Sequence, residues 1–116
     1  MADEEHFRRI ALSFPGTEQK AHMGHPDFRV GGKIFATLGS PNSEWGMVSL
    51  LPEQQELAIE AEAAAFKPAA GAWGRGGSTL VDLEQVSDEW LERTLDWAWA
   101  KRAPATPRRQ NRSAGR

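Results

Sequence analysis

A glycine pair between two apolar runs is the feature that most constrains how this chain folds. Phe28 and Val30 precede Gly31-Gly32, and the apolar run 34–38 follows it. Two consecutive glycines can both adopt the positive φ that a two-residue β-hairpin turn requires. The segment therefore predicts two antiparallel strands joined by a tight turn. The histidines and cations around that turn make it the first candidate for a functional site.

The rest of the sequence predicts helices and strands around this hairpin. Helices are expected over residues 4–13, from Pro52 to about residue 65, and from the Ser87 cap to about Arg102. Residues 17–24 are expected to form a loop. Further strands are expected over residues 45–51, 72–75 and 78–83. The expected fold is α+β, with the order α-β(3)-α-β(2)-α: one antiparallel five-stranded sheet with the helices on one face.

Charge is distributed unevenly along the chain. Residues 101–116 contain six basic residues and no acid, whereas the preceding hundred contain eight basic residues and all sixteen acids. Residues 103–116 have almost no apolar side chains, so we expect one domain over residues 1–102 and a disordered basic tail over residues 103–116. Such a tail can neutralise nucleic-acid phosphates, solubilise the protein or fold back on the acidic body.

Several functional classes are excluded by residue types that the sequence lacks. The chain contains no cysteine, which excludes disulfides, thiolate metal sites and cysteine nucleophiles. It contains no phosphate-binding loop, dinucleotide fingerprint or Ser-His-Asp order. We therefore expect a protein that is not an enzyme and uses no cofactor. No apolar run approaches a membrane span, and the acidic start is unlike a secretory signal, so we expect a cytoplasmic protein. A monomer is favoured as its oligomeric state.

A longer pattern in the same region resembles the signature of a known family. The pattern is Gly24-His25-Pro26-x-Phe28-Arg29-Val30-x-Gly32-Lys33-x-Phe35-Ala36, and the segment Leu12-Ser13-Phe14-Pro15-Gly16-Thr17-Glu18 before it is similar too. Both resemble the MmcQ/YjbR-like proteins over roughly residues 4–104. The resemblance implies a two-layer, double-wing fold. It also implies DNA binding, which in this family is a label based on fold analogy.

The cationic residues near aromatic side chains are the candidate nucleic-acid contacts. Cations hold backbone phosphates, and exposed aromatic rings stack on bases. We expect weak binding of DNA or another nucleic acid through residues of the folded domain and of the tail: His22, His25, Arg29, Lys33 and Arg75, then Arg108, Arg109 and Arg112. Against this, the same side chains are ordinary solvated strand positions in many proteins, and the acidic body disfavours a large anion-binding surface.

Two alternatives use the same region of the chain. In the first, the sheet face and the loop around Trp73 form a module that binds another protein or a small ligand. In the second, His22 and His25 share a metal ion, as an H-x-x-H pair can. A metal site needs a third ligand, which the sequence does not identify, so no metal is expected.

Overall fold

The structure is a computed structural model that describes residues 2–39 and 42–104. Within these residues, four helices and six strands follow one another. They are α1 (Glu4–Ser13), β1 (Thr17–His22), β2 (His25–Val30), β3 (Lys33–Leu38), β4 (Trp45–Ser49), α2 (Pro52–Ala61), β5 (Phe66–Pro68), α3 (Gly71–Arg75), β6 (Ser78–Asp82) and α4 (Asp88–Arg102).

The strands form one antiparallel sheet in the order β1-β2-β3-β4-β6-β5. β2 and β3 are joined by Gly31 and Gly32, whose φ angles are 61° and 81°. These positive angles are those of the tight hairpin turn that the glycine pair predicts. The α+β class and the antiparallel sheet with helices therefore agree with the sequence-based expectation.

The prediction of five strands was wrong, because β1 was expected to be a loop. β1 reads Thr-Glu-Gln-Lys-Ala-His and has no large apolar residue. It is an edge strand that pairs only with β2, so backbone hydrogen bonds define it rather than burial of one face. Met23 and Gly24 connect it to β2 with φ angles of 54° and 81°, which makes a second two-residue hairpin.

The segment between α2 and β6 was also predicted incorrectly. α2 ends at Ala61 rather than near residue 65, and β5 follows it. Pro68 lies in β5, where an edge strand tolerates the missing N–H. The strand expected over residues 72–75 is the helix α3, whose tight turn needs Gly74 because a Cβ there would overlap the Ala69 carbonyl.

The two faces of the sheet have different surroundings. Phe7 and Ala11 of α1, and the buried side chains of α2 and α4, form one apolar core with the inward-facing strand residues. Ser87 caps α4 by accepting a hydrogen bond from the Trp90 N–H at 3.2 Å. Along β4 and β6 buried and half-buried residues alternate, so every second side chain points to the opposite face. We call that opposite face the open face.

No helix within the described residues has the length and apolar character needed to cross a membrane.

Candidate anion-binding groove

A shallow groove of about 880 Å³ crosses the open face of the sheet. We call it the open-face groove. Its lining comes from every strand but β1 and β5, and from α3, α4 and three connecting segments: Met23, His25, Arg29, Gly32, Lys33, Ile34, Thr37, Met47, Ser49, Ala69, Trp73, Ser78, Leu80 and Arg102.

Strand register builds the floor of the groove. Thr37 of β3 pairs with Met47 of β4, which pairs with Leu80 of β6. Paired residues of neighbouring antiparallel strands point to the same face of a sheet, so these three side chains form one row. All three are half-buried. The floor is therefore mostly apolar and accessible from the open face.

The groove differs in charge from two other concave regions of the described surface. Its lining includes Arg29, Lys33 and Arg102 but no acidic residue. By contrast, a groove between α1 and α4 contains Glu89, Glu92 and Asp96, and a depression on α2 contains Glu53, Glu56 and Glu60. The open-face groove is therefore the more favourable of these three regions for an anion.

Arg29 is fixed by a buried carboxylate beneath it. Its Nε donates to Asp27 Oδ1 at 2.8 Å, and one of its terminal nitrogens donates to Asp27 Oδ2 at 3.1 Å. The side chain of Asp27 is fully buried, while that of Arg29 stays partly exposed. The hydrogen bond that Arg29 donates to Asp27 is the main cause that raises the pKa of Arg29 above its ordinary value. The charge of Arg29 is therefore largely balanced within the sheet.

Two cations, Lys101 and Arg102, meet at one end of the groove. Lys101 Nζ donates to Ser49 Oγ at 3.2 Å and to the Leu50 carbonyl at 2.9 Å. The Arg102 guanidinium donates to the same Ser49 Oγ at 3.1 Å. Burial, and then the charge of Arg102, lower the pKa of Lys101. Lys101 and Arg102 were not predicted as contacts from the sequence, where they were counted only among the basic residues of positions 101–116.

Trp73 gives the groove an aromatic edge. This residue is 77% exposed on α3 and lines the groove. Lys67 and Trp45 do not join it there; instead the Lys67 ammonium lies 4.9 Å from the centre of the Trp45 ring. Arg75 is exposed at the end of α3 and is not part of the lining. Of the predicted contacts Arg29, Lys33 and Arg75, the first two therefore line the groove beside Trp73 and the third does not.

The two histidines lie at the end of the groove opposite Ser49. His25 is exposed and packs over the backbone of Gly39, where an added Cβ would be 3.0 Å from His25 Nδ1. His22 pairs with His25 across β1 and β2, but its side chain lies outside the described atoms. Among the described side chains, no three His, Asp or Glu residues are close enough to hold a metal ion.

Arg108, Arg109 and Arg112 lie outside the described residues, so their contact with nucleic acid stays a prediction. The last described residue is Pro104. It packs against the β2–β3 turn, where a Cβ at Gly31 would be 2.9 Å from Pro104 Cγ. The chain therefore continues toward its basic end from a point beside Gly32 and Lys33, which line the groove.

Comparisons with known proteins agree with this architecture. A search of curated proteins gives no match. The structure is similar to the crystal structure of Deinococcus radiodurans protein DR2400, described as a DUF419 domain, with a TM-score of 0.73 and 17% sequence identity over 85% of this chain and 77% of that one. At this identity the likeness concerns the fold alone. A family model described as YjbR matches residues 12–101. That match spans most of the chain and confirms the resemblance of its sequence pattern, so the protein belongs to the YjbR family.

Proposed function

We propose that this protein binds nucleic acid weakly, with unpaired bases and backbone phosphates held in the open-face groove. The observation that carries the proposal is the composition of the lining. Lys33, Arg102 and the exposed Trp73 line a groove whose lining contains no acid, whereas two other concave regions among the described residues are rich in acids. Phosphate contacts supply most of the affinity of such proteins, and acids at the contact surface would oppose it.

Trp73 favours single strands over duplex as the ligand. A ring that is 77% exposed beside an apolar floor can stack on an unpaired base, whatever that base is. In a duplex the bases are already stacked on one another, and only their edges can be reached. Lys33 and Arg102 flank the floor and can contact the phosphates on either side of a stacked base.

The basic tail adds charge to the same surface. Pro104 packs beside the β2–β3 turn, so the segment carrying Arg108, Arg109 and Arg112 starts at the edge of the groove. If about four phosphates are neutralised in total, affinity for a single strand falls by a factor on the order of fifty between 50 and 200 mM salt. Removal of residues 105–116 is expected to reduce that dependence without abolishing binding.

Fluorescence anisotropy with a labelled twelve-residue oligothymidylate and a labelled hairpin duplex tests the proposal. Wild-type protein is expected to bind the single strand more tightly, and Trp73→Ala to weaken that binding about tenfold, the value of one stacked base. Leu57→Ala is the matched control, because Leu57 is 50% exposed on α2 and lies outside the groove. An unchanged affinity in Trp73→Ala, or no binding at low salt, contradicts the proposal.

The apolar floor supports a second candidate, a small anionic ligand with a flat apolar body. Met47 and Leu80 provide a surface for such a body, and Lys33 or Arg102 provides a counter-charge. This candidate function uses the same groove as nucleic-acid binding and differs from it only in the ligand. Competition distinguishes the two: a small aromatic carboxylate that displaces the oligothymidylate at micromolar concentration supports the second candidate, whereas millimolar or no displacement favours nucleic acid.

A further inference from the structure

The corner formed by Ser49, Lys101 and Arg102 holds two positive charges at one point. Both cations donate to the single hydroxyl of Ser49, at 3.2 Å from Lys101 and 3.1 Å from Arg102. Ser49 is itself only 4% exposed. Because its oxygen accepts both hydrogen bonds, the hydroxyl proton of Ser49 remains available for donation to a further acceptor.

These charges have no acidic partner among the described residues. Neither Lys101 nor Arg102 forms an ion pair there, and Nε of Arg102 is buried without a hydrogen-bond partner. The carbonyl end of α4 offsets a small part of the charge, as helix ends do for cations. Two partly buried cations of like sign side by side remain unfavourable until an anion joins them.

The corner is also where the groove ends. Ser49 is the last residue of β4, and Arg102 is the last residue of α4. Beyond them, Gly77 in the turn before β6 packs tightly against the backbone of Leu50. The contact is so close that a Cβ at Gly77 would overlap the Leu50 carbonyl. An internal phosphate of a strand needs room for the chain on both sides. A terminal phosphate needs room on one side only.

We infer that this corner binds a phosphate monoester, with two oxygens held by the Lys101 and Arg102 cations and a third accepting the Ser49 hydroxyl proton. A monoester carries nearly two negative charges at neutral pH and so matches the two cations, whereas an internal diester carries one. On the proposed function the monoester is the terminal phosphate of a bound strand. A free nucleoside monophosphate has the same chemistry.

The first experiment compares competitors for the labelled oligothymidylate on wild-type protein. The competitors are three unlabelled hexathymidylates: one with a 5′-phosphate, one with a 3′-phosphate and one with hydroxyls at both ends. We expect one phosphate-ended strand to compete about tenfold better than the hydroxyl-ended strand, the value of one charge-assisted hydrogen bond. Equal competition by all three strands rules out a strand's terminal phosphate as the ligand of the corner and leaves the proposed function intact.

Variants identify the residues responsible. Arg102→Gln is expected to remove the preference for the phosphate-ended strand. Because Arg102 also lines the groove, the same variant should weaken binding of the hydroxyl-ended strand, by about threefold for the loss of one phosphate contact. Arg9→Gln removes an equal charge from an exposed position on α1 outside the groove and should keep the preference. A preference that survives in Arg102→Gln contradicts the assignment of the corner.

Nitrogen–proton correlation spectra distinguish the two sources of the monoester and do not depend on strand binding. If no strand binds, the proposed function fails, and titration of wild-type protein with thymidine monophosphate and inorganic phosphate tests the corner alone. The corner is assigned to a free monoester if saturable shifts occur at Ser49, Lys101 and Arg102 and are absent in Arg102→Gln. No shift at these residues with either probe, together with no preference among strands, overturns the inference.

Discussion

Arg29 donates two hydrogen bonds to the fully buried carboxylate of Asp27, at 2.8 and 3.1 Å. The sequence analysis treated Arg29 as a free cation for phosphates, whereas this pairing gives it a structural role in the open face. A substitution at Arg29 therefore changes the stability of the sheet as well as the charge of the groove.

We predict that Arg29→Gln lowers the Tm more than Lys33→Gln does. Arg29→Gln removes the bidentate partner of a buried carboxylate, which is a costly loss, while Lys33 is exposed at the start of β3. Thermal unfolding followed by circular dichroism measures both. Asp27→Asn combined with Arg29→Gln should recover part of the loss, because the buried charge is then gone. Equal Tm values for the two single variants would contradict the prediction.

Gln55 is predicted to hold α3, and with it Trp73, against the sheet. Its buried side-chain amide donates to the Gly74 carbonyl at 3.0 Å and to the Ser78 carbonyl and Thr79 hydroxyl at 3.1 Å. Gln55→Leu should cost about 1–3 kcal/mol of unfolding free energy, because buried acceptors lose their donor. Urea denaturation measures the cost, and the indole signal of Trp73 should shift. Gln85→Leu on the exposed surface is the control.

The pKa of Lys101 is predicted to respond to phosphate. In the free protein, burial and the charge of Arg102 lower this pKa below its ordinary value of 10.5. A dianion bound in the corner favours the charged ammonium, so the pKa should rise. The measurement is the side-chain carbon shift of Lys101 against pH, in chloride and in phosphate of equal ionic strength. The side-chain carbon shifts of Lys20, which is exposed on β1, are the control for non-specific effects of phosphate.

The lowered pKa of Lys101 also makes the stability of the protein depend on pH. Because the native state releases the Lys101 proton at lower pH than the unfolded state does, the unfolded state holds more protons between the lowered pKa and 10.5. Stability in chloride therefore gains from Lys101 as pH rises through that range. A gain of equal size in Lys101→Met would contradict this assignment.

Asp96 is predicted to destabilise the domain at neutral pH. Partial burial raises the pKa of this carboxyl above its usual 3.8, so the native state takes up its proton at higher pH than the unfolded state does. The cost of the buried charge is present at neutral pH and is lost as pH falls toward 3.8. Asp96→Asn should raise the Tm at pH 7 and leave it unchanged near pH 3. Glu92→Gln, on the same helix and groove, is the comparison.

The elements that could be predicted from sequence are those whose signal is local. Gly31 and Gly32 adopt the positive φ angles that their hairpin requires, and the Ser87 cap marks the start of α4. β1 could not be recognised, because a polar edge strand is defined by pairing with β2 rather than by apolar periodicity. α3 was missed because its tight turn depends on Gly74 approaching the backbone of Ala69.

The candidate site was predictable to the extent that it lies on one hairpin. His25 and Arg29 belong to β2 and Lys33 begins β3, and all three line the groove. Strand alternation alone does not place them there, because Lys33 pairs with the buried Val30 and the register of β2 and β3 shifts before Arg29. Arg102 and Ser49 could not be associated in this way. They are 53 residues apart, and their contact depends on where the last turn of α4 reaches the end of β4.

The packing of Pro104 against the β2–β3 turn bears on how the protein is handled in the laboratory. An affinity tag or fluorophore fused after Arg116 is connected through residues 105–116 to Pro104, at the edge of the groove, and can compete for the surface under study. At the other terminus, the Ala2 N–H donates to the Leu83 carbonyl at 2.9 Å, next to the end of β6. A cleavable N-terminal tag is therefore the better choice for every binding measurement described above.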